Sequence, residues 1–457
     1  MERSRRWTVL AVVLACAVIA ACSGGDSDGG GGSEGADGGG EGDAPAAVTG
    51  SEASEYVGAP PEEADLVMWA WVPGIEEAVN LWNEEQPDVQ VTLSQQAQGD
   101  DLVTKVLTSA QAGNLPDLIQ VEYQALPTLV SNGVLADIAG PAADLSEQFA
   151  EGPWSLVTLG TDAVYAVPQD VAPMMLYYRH DVFEEMDLDV PATWDEFAEV
   201  AAQVREQDPD RYLTTFSSED PGWFVGLSQQ AGASWWNIEG EAWSVSIDDD
   251  ATTRVAEYWG DLIADDLVDD QPMYTPAWNS ALNDGTLIAW PSAVWAPGVL
   301  AGVAAETEGQ WEAAPLPRWD GEERTGYWGG SSTGIAESSQ NIAAAVEFAT
   351  WLNTDPDALR ILINVGGIYP AQTAAQTELL SAPPAFMAND DDYYEVASSV
   401  AETAAGFTFG PNVNTAYSVY RDAFASALDG GDFAGAVQQM QEETLADMRD
   451  TGFDVVE

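Results

Sequence analysis

Two rhythms of apolar and polar residues alternate along most of this chain. Leu66-Val67-Met68-Trp69-Ala70-Trp71 is a short apolar run closed by Pro73-Gly74, the pattern of a buried strand and its turn. Ile75, Ala78, Val79 and Trp82 then fall at i, i+3, i+4 and i+7 against Glu76, Glu77, Asn80 and Asn83, which predicts a helix stopped by Pro87. Val89, Val91 and Leu93 alternate as a strand, Leu102, Val106 and Ala110 mark a second helix, and Leu118-Ile119-Gln120-Val121 a third strand. This alternation predicts an α/β fold with mostly parallel sheets flanked by helices. Thr193-Trp194-Asp195-Glu196 begins another helix, the threonine as cap and the glutamate reaching back as a capping box. Further helices are predicted over residues 341–352 and 415–448, the latter broken near Gly430-Gly431. No repeat of 20 to 50 residues is visible, which argues against a solenoid.

The first residues follow another pattern. Arg3, Arg5 and Arg6 precede an apolar run from Trp7 to Ile19, and small residues follow at Ala20 and Ala21, as in a secretory signal. The run is shorter than the ~20 residues that span a bilayer, so a retained membrane helix is the weaker alternative. Ile19-Ala20-Ala21-Cys22 resembles the lipobox of bacterial lipoproteins, which implies a lipid on Cys22; an ordinary signal peptide with an incidental cysteine is the alternative. Cys16 lies within the signal, so the mature chain cannot form an internal disulfide. From Ser23 to about Pro61 the chain is Gly, Ser, Asp, Glu and Ala with hardly a large apolar residue, the composition of a tether. Roughly 395 residues remain from Glu62, more than one core usually holds, so two lobes are expected.

Charge changes the picture of partners. There are 77 acidic residues against 13 Lys plus Arg, a formal charge of −64. Removing residues 1–21 takes away Glu2, Arg3, Arg5 and Arg6, leaving 76 against 10, or −66. Nucleic acid is excluded as a partner, because its phosphates would meet a surface of their own sign. Anionic lipid would repel the chain too, so an anchor must hold it at a membrane. Self-repulsion of this size is relieved by salt, whose Debye length falls to ~3 Å at 1 M, and a salt-loving source is inferred. Lys105 as the sole lysine fits that inference.

Catalytic constellations are missing. The single histidine, His180, has no nucleophile elbow beside it and reads as a surface residue. No HExxH, no GxGxxG after a strand, no GxxxxGK[ST] and no cysteine cluster is present, so no metal and no cofactor is expected. A pair of carboxylates could serve a glycosidase, but a chain this acidic supplies pairs by chance. The positive signal is aromatic, with 18 Trp, 14 Tyr and 12 Phe. Indole faces stack on the C–H faces of sugars, and carboxylates and amides meet their hydroxyls. Most tryptophans pack cores; the informative ones stand where loops are predicted, at Trp71, Trp223, Trp235-Trp236 and Trp328. Loops at strand ends are where open α/β sheets bind ligands.

Several segments in order carry a family resemblance. Leu115-Pro116-Asp117-Leu118-Ile119, preceded by Ala112-Gly113 and followed by Asn132-Gly133-Val134-Leu135-Ala136-Asp137, resembles the "aG..PDvi … G.L.dl" pattern of family 1 extracellular solute-binding proteins, the maltose-binding-protein class. Tyr165-Ala166-Val167-Pro168-Gln169-Asp170 resembles "yGvPyd", and Leu176-Tyr177-Tyr178-Arg179-His180-Asp181-Val182-Phe183 resembles "lyYnkdlf". Pro191-Ala192-Thr193-Trp194-Asp195-Glu196-Phe197 resembles "P.TWdEf", the most specific of these. Gly329-Gly330-Ser331 through Ile335-Ala336-Glu337, with Ala345-Val346-Glu347-Phe348, resembles "ggs..aI … A.eFi.fl". Ala166, His180 and Trp290 depart from the glycine, lysine and methionine that are common at those places.

The resemblance implies two α/β lobes joined by crossing strands, closing on a ligand and presenting it to a membrane permease of an ABC importer. It divides the chain into a signal (1–21), a tether (22–63), lobe 1 (64–169 and 330–375) and lobe 2 (170–329 and 376–457). It places Gln169 and Asp170 at one crossing and Gly330 and Ser331 at another, and it sets Glu122 and Tyr123 in a loop that lines the cleft. Leu287-Ile288-Ala289-Trp290 then reads as an apolar strand with Trp295 nearby, both rings near the ligand. With Trp71, Trp223, Trp236 and Trp328 these make the expected binding set. The expected protein is a monomer on the outer face of the membrane, anchored through Cys22, that binds a di- or oligosaccharide without transforming it. Polyamines are the alternative ligand, through cation–π contact. A cell-surface glycosidase and a sensor that signals to a receptor are the alternative functions.

Overall fold

The computed structural model describes residues 63–456 apart from 240, 241, 320, 322 and 405. The signal, the tether and Cys22 lie outside the described residues. Ten strands follow in chain order: β1 (Ala64–Ala70), β2 (Val89–Gln95), β3 (Leu118–Glu122), β4 (Ala166–Asp170), β5 (Met174–Arg179), β6 (Trp236–Glu239), β7 (Ala242–Val245), β8 (Ala289–Ala293), β9 (Trp311–Pro315) and β10 (Ser331–Ile335).

The first lobe is built on a five-stranded sheet in the order β2-β1-β3-β10-β4. β1 is parallel to β2 and to β3, with Met68 opposite Leu118, while β10 enters antiparallel between β3 and β4. The helix Ile75–Glu85 buries Ile75, Ala78, Val79 and Trp82, the stripe its spacing predicts. The Trp82 indole N–H donates to the Val89 carbonyl at 2.8 Å, and its ring meets Phe348 and Trp351 of the helix Ile342–Thr354.

The second lobe carries the sheet β8-β5-β9, antiparallel throughout. Parallel bridges at Tyr212–Leu287 and Thr215–Asp269 extend it beyond β8. The two-lobed α/β architecture agrees with expectation; among the ten strands the expected mostly parallel pairing holds only for β2-β1-β3. An apolar run such as Leu287–Trp290 is buried in either sense, so its composition does not report strand direction. The helix Trp194–Gln207 starts as predicted, the Thr193 side chain accepting the Glu196 N–H at 3.2 Å. The Glu196 carboxylate reaches back one residue further than a capping box, accepting from Ala192 N–H. Behind the sheet lies an aromatic core. Trp223 and Trp259 stand 4.9 Å apart, with Phe216 against both, and Phe216 also meets Phe424 and Phe433 of the C-terminal helices Val413–Gly430 and Phe433–Asp450.

The chain passes between the lobes at residues 170–174 and 326–331, running antiparallel. Trp328 N–H donates to Ala172 O at 3.0 Å and Met174 N–H to Gly326 O at 2.9 Å. A third passage lies between Ala371, whose N–H donates to Gln169 O, and Phe386, whose carbonyl accepts from Gly309. Gly329 and Gly330 both hold positive φ, 88° and 93°. A Cβ on Gly330 would stand 3.0 Å from the Tyr123 ring and 3.2 Å from Asp170 O, so conformation and space both demand glycine. Gly330→Ala is therefore expected to lower stability by about 1–3 kcal/mol, read as a shifted midpoint in urea; an unchanged midpoint would show that the second passage tolerates a side chain.

Candidate functional site

The site is built around the two passages. On the first-lobe side, β1 ends at Ala70 and β3 at Glu122, both at the carboxyl edge of the parallel strands where ligands meet α/β sheets. Trp71, Gln120 and Glu122 line a narrow crevice, partly open to solvent, whose wall includes Leu102, Val106 and Leu129. Trp71 and Glu122 are half-buried. The Glu122 carboxylate accepts from the Gln124 amide at 2.9 Å.

Tyr123 is buried and donates its hydroxyl to Asp170 O at 3.0 Å. Burial first, and the Asp170 charge second, hold this phenol well above its ordinary value. The Asp170 Oδ1 accepts from Ser331 N–H at 2.9 Å and from Ser331 Oγ at 2.5 Å. Burial pushes the Asp170 carboxyl up to about 6, against the lowering effect of those two bonds. Gln169 is buried behind it, donating to Asn353 Oδ1 at 3.0 Å. Gln169, Asp170, Gly330 and Ser331 thus meet at one junction between the two passages.

On the second-lobe side an aromatic surface stands on the second passage. The rings of Trp295 and Trp328 lie 4.8 Å apart at a steep angle, and the Trp295 indole N–H donates to Trp328 O at 2.9 Å. Trp290 lies beneath both, at 5.8 and 6.0 Å. Trp295 and Trp328 are half-buried and Trp290 almost wholly covered, so Trp290 supports the pair. A Cβ on Gly222 would stand 3.0 Å from the Trp328 ring, so the start of the helix Pro221–Ala231 must be bare for the ring to lie there.

Two residues join this surface that sequence reasoning missed. Tyr274 is 44% exposed with its ring against Trp278, Trp290 and Trp328. Its φ of 61° is a left-handed conformation costly for a bulky side chain, the kind of strain that collects at functional sites. Asp220 stands beside the Gly222 contact, accepts from Ser217 Oγ at 2.7 Å, and has its pKa raised by burial. The flanking Pro272 and Pro276 were the available signal for Tyr274; Asp220 had none among so many carboxylates.

Several expected ligand contacts are corrected: Tyr123, Gln169, Trp290 and Ser331 are buried and stand behind the site, and two further rings lie in the core. Trp223 does not sit in a loop but in the helix Pro221–Ala231, fully buried, its indole donating to Pro291 O at 2.9 Å. Trp236 opens β6, fully buried, 5.8 Å from Trp235 and so close to Gly410 that no side chain fits there. Both rings serve the core: Pro221-Gly222 beside Trp223 begin a helix, and Trp236 packs against the distant Gly410. His180, expected at the surface, is partly buried with Nδ1 4.0 Å from Glu312 Oε1.

The Asp170 carboxyl sets a pH dependence. Its folded pKa, about 6, lies above the ordinary 3.8, so the folded chain keeps a proton there that the unfolded chain releases. That stabilisation is complete below the unfolded value and is lost as pH rises through the folded one. The melting temperature of the native chain relative to Asp170→Asn is expected to fall between pH 4 and 7; a constant or growing difference would show that the carboxyl is ionised in the fold throughout.

Comparison with known proteins completes this picture. The family of bacterial extracellular solute-binding proteins matches residues 69–358. An arabinooligosaccharide-binding protein of Halalkalibacterium halodurans is 24% identical over 347 residues, 72% of this chain and 75% of that protein. A lactose-binding protein of Rhizobium radiobacter is 24% identical over 334 residues, 68% of this chain and 76% of that protein. The solved structure of the galacto-N-biose-/lacto-N-biose I-binding protein of an ABC transporter from Bifidobacterium longum, in complex with lacto-N-biose, is similar at a TM-score of 0.78 with 25% identity, covering 87% of this chain and 100% of that one. With lobes, passages and family match in agreement, this chain belongs to the bacterial extracellular solute-binding proteins.

Proposed function

We propose that this protein captures a neutral di- or oligosaccharide between its lobes and delivers it to the permease of an ABC importer. The observation that carries this reading is the half-buried pair Trp295 and Trp328, with Tyr274 beside it and Asp220, Asp170 and Glu122 around the junction. Rings offer flat faces to sugar C–H groups, and carboxylates accept from hydroxyls. The relatives named for arabinooligosaccharides, lactose and lacto-N-biose support the same class. As a member of a solute-binding family the chain holds its ligand and releases it unchanged. The ligand-facing set comprises Trp71, Glu122, Asp170, Trp295 and Trp328, with Asp220 and Tyr274 added; Tyr123, Gln169, Trp290, Gly330 and Ser331 support it.

The lobes divide as 64–169 with 330–375, and 170–329 with 376–457. The chain acts as a monomer at the outer face of the membrane, held by lipid on Cys22 through the acidic tether. The lipobox motif supports the anchor, and an uncharacterized lipoprotein of Streptomyces antibioticus is 30% identical over 174 residues, 36% of this chain. The charge of −64 suits salt-rich surroundings.

Two measurements test the reading. The purified protein is melted with arabinotriose, lactose, lacto-N-biose, maltotriose and spermidine in turn. A ligand at a hundredfold excess over its Kd adds about 2.7 kcal/mol, so one sugar is expected to raise the melt and be recovered intact. A response to spermidine alone would move the reading to polyamines, and cleavage of the sugar would move it to a glycosidase. Trp328→Ala is expected to weaken the responding sugar roughly three- to tenfold, the value of one aromatic contact, while Trp236→Ala lowers the melting temperature and leaves affinity unchanged. In the same melts, raising NaCl from 0.1 to 2 M is expected to stabilise the protein; a flat response would remove the halophilic part of the proposal.

A further inference from the structure

Gln120 uses both ends of its side chain at the centre of the junction. β3 turns it inward two residues before Glu122, and it is 0% exposed. β1 leaves the sheet after Ala70, so the N–H groups of Trp71 and Val72 find no strand beside them. The Gln120 Oε1 accepts both, at 3.0 and 3.2 Å, in place of a strand carbonyl. Its Nε2 donates to Gln169 Oε1 at 2.6 Å and to Ser331 Oγ at 3.1 Å. Gln169 opens onto the first passage and Ser331 closes the second, so one buried amide ties the Trp71 turn to both. The arrangement continues through Gln169 Nε2 to Asn353 Oδ1, and from Asn353 Nδ2 to Thr333 Oγ1, each at 3.0 Å. A carboxylate supplies only the accepting end of this set and an ammonium only the donating end; asparagine is one methylene too short to span it.

We propose that Gln120 is a positioning residue, which fixes the Trp71 turn to the two interlobe passages and contributes to ligand affinity through Trp71. The affinity part rests on the saccharide reading above; the geometric part does not. Removing the acceptor leaves two backbone N–H groups unpaired, and buried groups in that state seek water or move.

Hydrogen–deuterium exchange on the purified ligand-free protein tests the geometry. Gln120→Met and Gln120→Asn are expected to speed exchange at Trp71 and Val72 at least tenfold, whereas Gln120→Glu, which retains the acceptor, preserves their protection. Exchange at those amides unchanged in a folded Met or Asn variant, or lost equally in the Glu variant, would overturn the proposal. Lactose affinity by calorimetry tests the coupling. Gln120→Met is expected to weaken lactose roughly three- to tenfold in the native background and less than twofold in Trp71→Ala, because contributions made through one ring do not add. Equal losses in both backgrounds would overturn the proposal and leave Gln120 a purely structural amide. If lactose and the other sugars fail to bind the native chain, the saccharide reading fails by itself and the exchange result still decides where Gln120 acts.

Discussion

The Asp170 carboxylate, accepting twice from Ser331, and the backbone bonds beside it join the two chain passages on which the rest of the molecule depends. The chain runs between lobes at this point, and any group left unpaired in a half-buried junction costs stability. Asp170 answers the first residue of β10, Tyr123 answers Asp170, and the consecutive glycines before Ser331 let β10 begin against the Tyr123 ring. The junction is determinate because each of these groups has a partner of fixed geometry.

The two lobes spend their aromatic residues differently. In the second lobe most rings pack upon each other behind the sheet, with Trp194, Trp223 and Trp259 fully buried. The partly exposed pair on the junction side stands on a base of other rings: Trp278 under Trp290, Trp290 under Trp295 and Trp328. A ring held from below loses little freedom when a ligand stacks on it. The first lobe contributes a lone half-buried Trp71 whose backbone is held by side-chain amides, the Gln95 amide donating to its carbonyl at 3.0 Å as Gln120 accepts from its N–H. One half of the site is rigid through packing, the other through hydrogen bonds.

Local pattern made much of this legible. The stripe Ile75, Ala78, Val79, Trp82 and the Thr193 cap depend on neighbours three or four residues away, and the structure has both. The passages were legible through motif order, since Pro168-Gln169-Asp170 and Gly329-Gly330-Ser331 are far apart in sequence and meet in the fold. What escaped depends on distant partners. Trp223 and Trp328 both neighbour glycine, yet one ring turns into Phe216 and Trp259 while the other lies over Gly222, a difference decided by the helix between them. The direction of β8 against β5 escaped for the same reason, and so did the left-handed Tyr274, whose ring packs against Trp278 and Trp328.

Lys105 is exposed on the helix Asp100–Gln111, its ammonium 4.2 Å from the centre of the Trp69 ring, and it is the sole lysine of the sequence. A side-chain amine at one address makes the protein addressable by ordinary acylating dyes without engineering a cysteine. A fluorophore coupled there would ride on the first lobe while the tryptophans of the junction stay unlabelled, so the distance between lobes becomes something light can follow as ligand comes and goes.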